Sequence, residues 1–193
     1  MNGGSRLSAG PSLALLALTA IILLMGVGCG DSEEGLGLPQ NGLPNVTGIY
    51  LRDYNAEPIG LWGNPKGHGV EAYPNPSNSP FTISFQVPEP MYVDAWVHRA
   101  LGPGETAVTG NAGIGGAVVD VHQQGAVKVL LSEVISAGVH QVHWGGRDDA
   151  GVEQPTGFYR IYFRFGETLH FDDVYLAREY EDLLPGMEPR YPY

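Results

Sequence analysis

GVHQVHWGGRDDAGVEQPTGFYRIYF, residues 138–163, carries two runs of two-residue alternation separated by a polar, glycine-rich stretch. His140, Val142 and Trp144 alternate with Gln141 and His143, as a half-buried strand requires. Gly145 to Gly151 supplies turn chemistry, after which Tyr159, Ile161 and Phe163 resume the same period. The pattern predicts a hairpin in an antiparallel sheet. Its Trp144 and Tyr159 are expected to fill the core between two sheets.

Composition agrees with an all-β chain. The 193 residues include 28 Gly and 15 Pro and show little sustained helical periodicity, which favours one main domain of short strands and many turns. A formal net charge of -11 repels nucleic acid and anionic lipid headgroups, so a nucleic-acid partner is not expected. The single cysteine, Cys29, cannot form an internal disulfide, and stability must come from the core.

The N-terminus explains that cysteine. One cation, Arg6, precedes the apolar run from Leu13 to Val27, which is too short for a comfortable membrane span, and the run ends in Gly26-Val27-Gly28-Cys29. Residues 1–28 resemble a bacterial lipoprotein signal peptide, with Gly26 where Leu is usual. The resemblance implies a signal helix, export, cleavage before Cys29 and acylation of that residue; the plain alternative is a secretory signal or an uncleaved anchor, which also implies export. At about 0.8 kcal/mol per buried methylene, several acyl chains would hold the protein stably on a bilayer. Gly30 rather than Asp after Cys29 is similar to the sorting pattern for the outer membrane of a Gram-negative cell. Residues 29–45, rich in Gly, Pro and acidic side chains, read as a flexible tether able to reach up to about 50 Å.

Residues 46–68 predict a small hairpin and connector. Ile49 and Leu51 alternate with Tyr50 and Arg52, Asn55-Ala56-Glu57 offers a turn, and Ile59, Leu61 and Trp62 follow. The hairpin is expected either as a lid on the main domain's edge or as a recognition surface built on Trp62 and Tyr54. Within 69–178, Phe81, Ile83, Phe85 and Val87 form one alternating run, and Met91, Val93, Ala95 and Val97 form another beyond Pro88 and Pro90. These two are expected to pair as a hairpin. Thr168 to Leu176 is a last strand in which Asp172-Asp173 interrupts the alternation and suggests a bulge. Residues 179–193 read as an acidic tail.

Tyr73-Pro74-Asn75-Pro76 with the two strands after it, Val127 to Leu131, Gly138 with Trp144, the Gly146 to Gly151 turn, and Gly157 with Tyr159 together resemble a known family. It is the immunoglobulin-like domain named after the flagellar hook-capping protein FlgD, and the pattern is similar also to the related type IX secretion C-terminal sorting domains. The resemblance implies a two-layer antiparallel β-sandwich of immunoglobulin or fibronectin III type. Residues 101–124, where Ala117 to Val121 could add a strand, are an insertion relative to such domains. The insertion is either a structural elaboration or a partner-distinguishing surface.

Candidate chemistry is sparse. His140 and His143, three apart on a strand, point to opposite faces and cannot readily share a metal ion. Arg147-Asp148-Asp149 reads as turn chemistry rather than a calcium loop. Glu133 and Asp120 have nothing to bring them together as an acid/base pair, and GNAGIGG at 110–116 is not placed between strand and helix as a phosphate loop must be. No cofactor or metal is expected. Tyr92, Trp96, Phe158 and Tyr162 are outward aromatics, either covered by neighbouring segments or exposed as a stacking platform. Trp62, Tyr92 and Trp96 are thus the candidate interaction residues. These readings predict a non-catalytic, membrane-tethered lipoprotein acting as a structural or interaction module at the cell envelope, with a protein or glycan partner. A secretion sorting domain and a carbohydrate-binding module are the alternatives.

Overall fold

A computed structural model describes residues 43–78, 80–105 and 125–187. The expected signal helix, Cys29, Asp120 and the possible strand at 117–121 lie outside the described residues. Nine strands are described: β1 Gly48–Arg52, β2 Pro58–Gly63, β3 Glu71–Tyr73, β4 Phe81–Val87, β5 Met91–Arg99, β6 Lys128–Ile135, β7 Gly138–Trp144, β8 Gly157–Phe165 and β9 Thr168–Leu176. They form a hairpin (β1-β2), a three-stranded sheet (β3-β4-β7) and a four-stranded sheet (β6-β5-β8-β9), and every named strand pair is antiparallel. The two larger sheets pack face to face as a sandwich. Their division into three and four strands, with β6 beside β5, is an immunoglobulin-like arrangement of the fibronectin III kind.

Residues 138–163 are two strands, but not a hairpin. β7 pairs with β4 in one sheet, whereas β8 pairs with β5 and β9 in the other. The physical reason lies in the apolar sets. Trp144 and Tyr159 are both fully buried, with ring centroids 4.8 Å apart, and each strand turns its apolar set toward one shared core from a different layer. Residues 145–156 form an arch between the layers. Arg178 donates to the carbonyls of Gly146 and Gln154 and so ties both feet of the arch together. Gly146 has φ +66°, and a Cβ there would meet Leu176 and Arg178 at 3.1 and 2.9 Å, so glycine is required where the arch crosses β9.

The expected pairing of β4 with β5 is likewise corrected. Residues 88–90, with two prolines, carry the chain from one sheet to the other, and the strands on either side contribute Phe81, Ile83 and Phe85, then Val93, Ala95 and Val97, to one core from opposite layers. Tyr159 adds a tyrosine corner, because its hydroxyl donates to the Pro155 carbonyl at 2.6 Å, anchoring the start of β8 to the end of the arch.

No bulge occurs at Asp172-Asp173. β9 runs in continuous register with β8 from Gly157↔Leu176 to Phe165↔Thr168, and the irregularities fall instead at Leu51/Arg52 and Ala95/Trp96. The tail is also not a free appendage over its described part. Tyr180–Asp182 makes a 3-10 turn, and Leu183 and Met187 bury themselves with Ile49, Leu51, Phe158 and Tyr175 in a second apolar cluster. That cluster seats the β1-β2 hairpin on the end of the sandwich.

Candidate interaction surfaces

A buried polar seam joins the hairpin to the two sheets. Arg52 of β1 donates to Asp172 Oδ2 at 2.6 Å and to the Ala72 carbonyl at 3.2 Å, and the Ala72 amide donates to the same carboxylate oxygen at 3.0 Å. Backbone bonds run both ways between Arg52 and Asn75. Asn75 then acts as a surrogate strand, donating through Nδ2 to the Asp173 carbonyl and accepting the Tyr175 amide on Oδ1. On the opposite face of β9, Arg160 grips Asp173 with two bonds, at 2.6 and 2.9 Å, while its guanidinium lies over the Phe171 ring. Consecutive aspartates are therefore legible as two face-specific anchors. Each neutralises an arginine from a different element.

Burial pushes the Asp172 carboxyl up to about 6, against the opposing pull of Arg52. A carboxyl whose folded value exceeds its unfolded value of about 3.9 holds its proton more tightly when folded. Its contribution is fully present below the unfolded value and is lost as pH rises through the folded one. Urea titrations at intervals from pH 4 to 7 are expected to show stability falling through this group as pH rises. Asp172→Asn should reduce that slope, and an unchanged slope in the variant would contradict the assignment.

An open groove of about 970 Å³ lies between the hairpin and the three-stranded sheet. One wall is the face of β1-β2 that carries Tyr50 and Leu61, cross-strand partners in the hairpin register. The other includes Ser84, Phe85 and Gln86 of β4 and Val139 of β7, and the connector at Gly67–Val70 closes one side. Leu61 and Val139 are 60% and 70% exposed, so both walls offer apolar surface to solvent. Arg52, although it lines the groove, is committed to Asp172.

The residues singled out from sequence are not gathered in this groove. Trp62 is half-buried, lies 5.4 Å from Phe158 between ring centroids, and donates its indole N–H to the Pro185 carbonyl, so it serves mainly to fasten the hairpin. Tyr92 is exposed, with its hydroxyl bonded to Ser132. Trp96, expected on the same face, is fully buried and stacked on Tyr162 at 5.4 Å. Phe158 and Tyr162 are buried too, so no exposed platform forms: Trp96 and Tyr162 make a layer with Phe171, Arg160 and Arg164 on the four-stranded sheet, while Phe158 packs with Trp62 and Tyr175 in the second apolar cluster. Trp144 and Tyr159 lie in the main core.

His140 packs on Phe85, while His143 contacts Thr82 on the opposite face. Asp148 accepts the Val152 amide within the arch, and Arg147 pairs with Glu153. Among the described residues, no three His, Cys, Asp or Glu side chains gather as a metal-binding group, and no helix is long and apolar enough to cross a membrane. Sequence reasoning missed the groove because its walls come from stretches far apart in the chain. The one available signal was Leu61, an apolar residue on the hairpin face opposite Ile49 and Leu51.

Fold and surfaces together define a fibronectin III-like β-sandwich with an N-terminal hairpin clipped across its edge and an open groove beneath that hairpin. No family model, curated protein or solved structure matches the chain.

Proposed function

We propose that this chain is a non-catalytic lipoprotein, tethered through Cys29 at the cell envelope, whose sandwich presents a binding surface to another envelope component. The observation that carries the reading is the open groove with apolar side chains on both walls, built on a scaffold whose buried charged pairs are occupied in fastening one element to the next. Such a surface suits recognition, since exposed apolar patches rimmed by polar residues mark interaction sites. The tether follows from the lone cysteine after an apolar leader, and the resemblance to the FlgD-type domain adds an envelope setting. Glycan recognition through outward aromatics is weakened by the burial of Trp96, Phe158 and Tyr162.

Membrane fractionation of cells expressing the full chain tests the tether. The wild type is expected in the membrane pellet and Cys29→Ala in the soluble exported fraction. A variant that stayed with the membrane would overturn the anchoring role of Cys29.

A further inference from the structure

The groove has a feature beyond its apolar walls. β4 pairs with β7 over its whole length, Phe81↔Trp144 to Val87↔Gly138, but β3 covers only Thr82 to Ser84 on its other side. No described residue continues the ladder beside Phe85, Gln86 and Val87, and the hydrogen bonds of the described residues include none from their backbone outside the β4-β7 ladder. The chain leaves β4 at Glu71 and turns through Gly69, at φ +79°, toward β9, where His68 bonds to Phe171 in both directions. A strand slot is thus left open, and the groove lies along it. At about 3.3 Å per residue the open stretch is about 10 Å long.

We propose that the groove takes an extended segment of another polypeptide as an added strand on the free side of β4 at Phe85–Val87. This rests on the interaction-module reading and specifies its mode. Free backbone groups at a strand edge template pairing with an incoming chain, and pockets for alternate side chains supply the selectivity. Successive side chains of the incoming strand point to opposite faces, so apolar residues at alternate positions meet Leu61, Tyr50 and Val139. The guest is net cationic: the chain carries -11, Glu71 lines the groove, exposed Glu57 and Lys66 beside it offset each other, and Arg52 is already neutralised by Asp172.

The test uses the full chain in detergent and the blocked peptide KVTVKVK, with an analogue bearing proline at its central position. Saturable amide shifts and slowed exchange at Phe85–Val87 are expected with the first peptide and not the second. Leu61→Ser and Val139→Ser, both at exposed positions that leave the core untouched and add no charge to the groove, should each weaken binding about tenfold or more. Absence of saturable binding up to about 1 mM, perturbation confined to β6, or variants that bind as well as the wild type would overturn the proposal. The broader reading is judged separately by capture of a partner from envelopes. Capture that survives Leu61→Ser refutes the strand slot alone, and a wild type that captures nothing refutes the module.

Discussion

Trp144→Ala should lower the unfolding free energy by about 3–5 kcal/mol, read as a drop in the urea midpoint. Three separate losses stand behind that figure. The indole stacks on Phe81 at 5.7 Å in its own sheet and meets Tyr159 at 4.8 Å from the facing one, so truncation opens a cavity where the layers touch. It also removes the N–H that donates to the Arg147 carbonyl at 2.9 Å, freeing one foot of the arch. Trp144→Phe keeps most of the apolar volume and loses the donor, and is expected to cost distinctly less. An Ala variant as stable as the wild type would mean that the two layers do not meet at this residue.

Asp173→Ala is expected to be as damaging, at about 3–5 kcal/mol, for a different reason. Both members of the Arg160–Asp173 pair are 3% exposed, and removing the carboxylate leaves a guanidinium buried without its counter-charge. The Asn45 carbonyl, 3.0 Å from Arg160 Nη2, is a poor substitute for an ion. Replacing both members with apolar residues of similar size, as in Arg160→Met with Asp173→Leu, should recover much of the loss, because the cost lies in the orphaned charge rather than in the missing attraction. Thermal melts of the single and double variants decide the point. A double variant no better than Asp173→Ala would show that the pair fixes the strand geometry in a way packing cannot replace.

These two cases show how much of the molecule was legible beforehand. Alternation locates β4, β5, β7 and β8 because an apolar core face leaves a two-residue signature in a strand. It did not reveal which strands pair. Period two is the same for neighbours in one sheet and for strands facing each other across a core, so Gly138 to Phe163 read as a hairpin although its halves lie in different layers. The buried Asp172 and Asp173 break the pattern and read as a bulge, since charge at a strand position normally means solvent. Here the compensating arginines are Arg52, 120 residues away, and Arg160, 13 residues away. Trp96 and Tyr162 are legible as outward aromatics but not as covered ones, because burial depends on the arginines and Phe171 that join them in space. The candidate site suffered most, since Leu61, Phe85 and Val139 come together only after the hairpin is clipped across the sheet edge.

The seam also links fold to function. Arg52 and Asn75 hold the hairpin at a fixed distance from β4, and Trp62 fastens its other end to Pro185, so the groove is held open by bonds that a guest need not form. Preorganisation of this kind reduces the ordering cost of binding.

The central claim is that this groove is where the tethered module meets its partner at the envelope. It is tested most directly by placing a photo-activated cross-linking side chain at Leu61 or at Val134 in the full chain within cells. Val134, on β6, is as exposed as the groove residues but does not line the groove. A discrete cross-linked polypeptide is expected from position 61 and none from position 134. The same product from 134 alone, or none from 61, would contradict the claim.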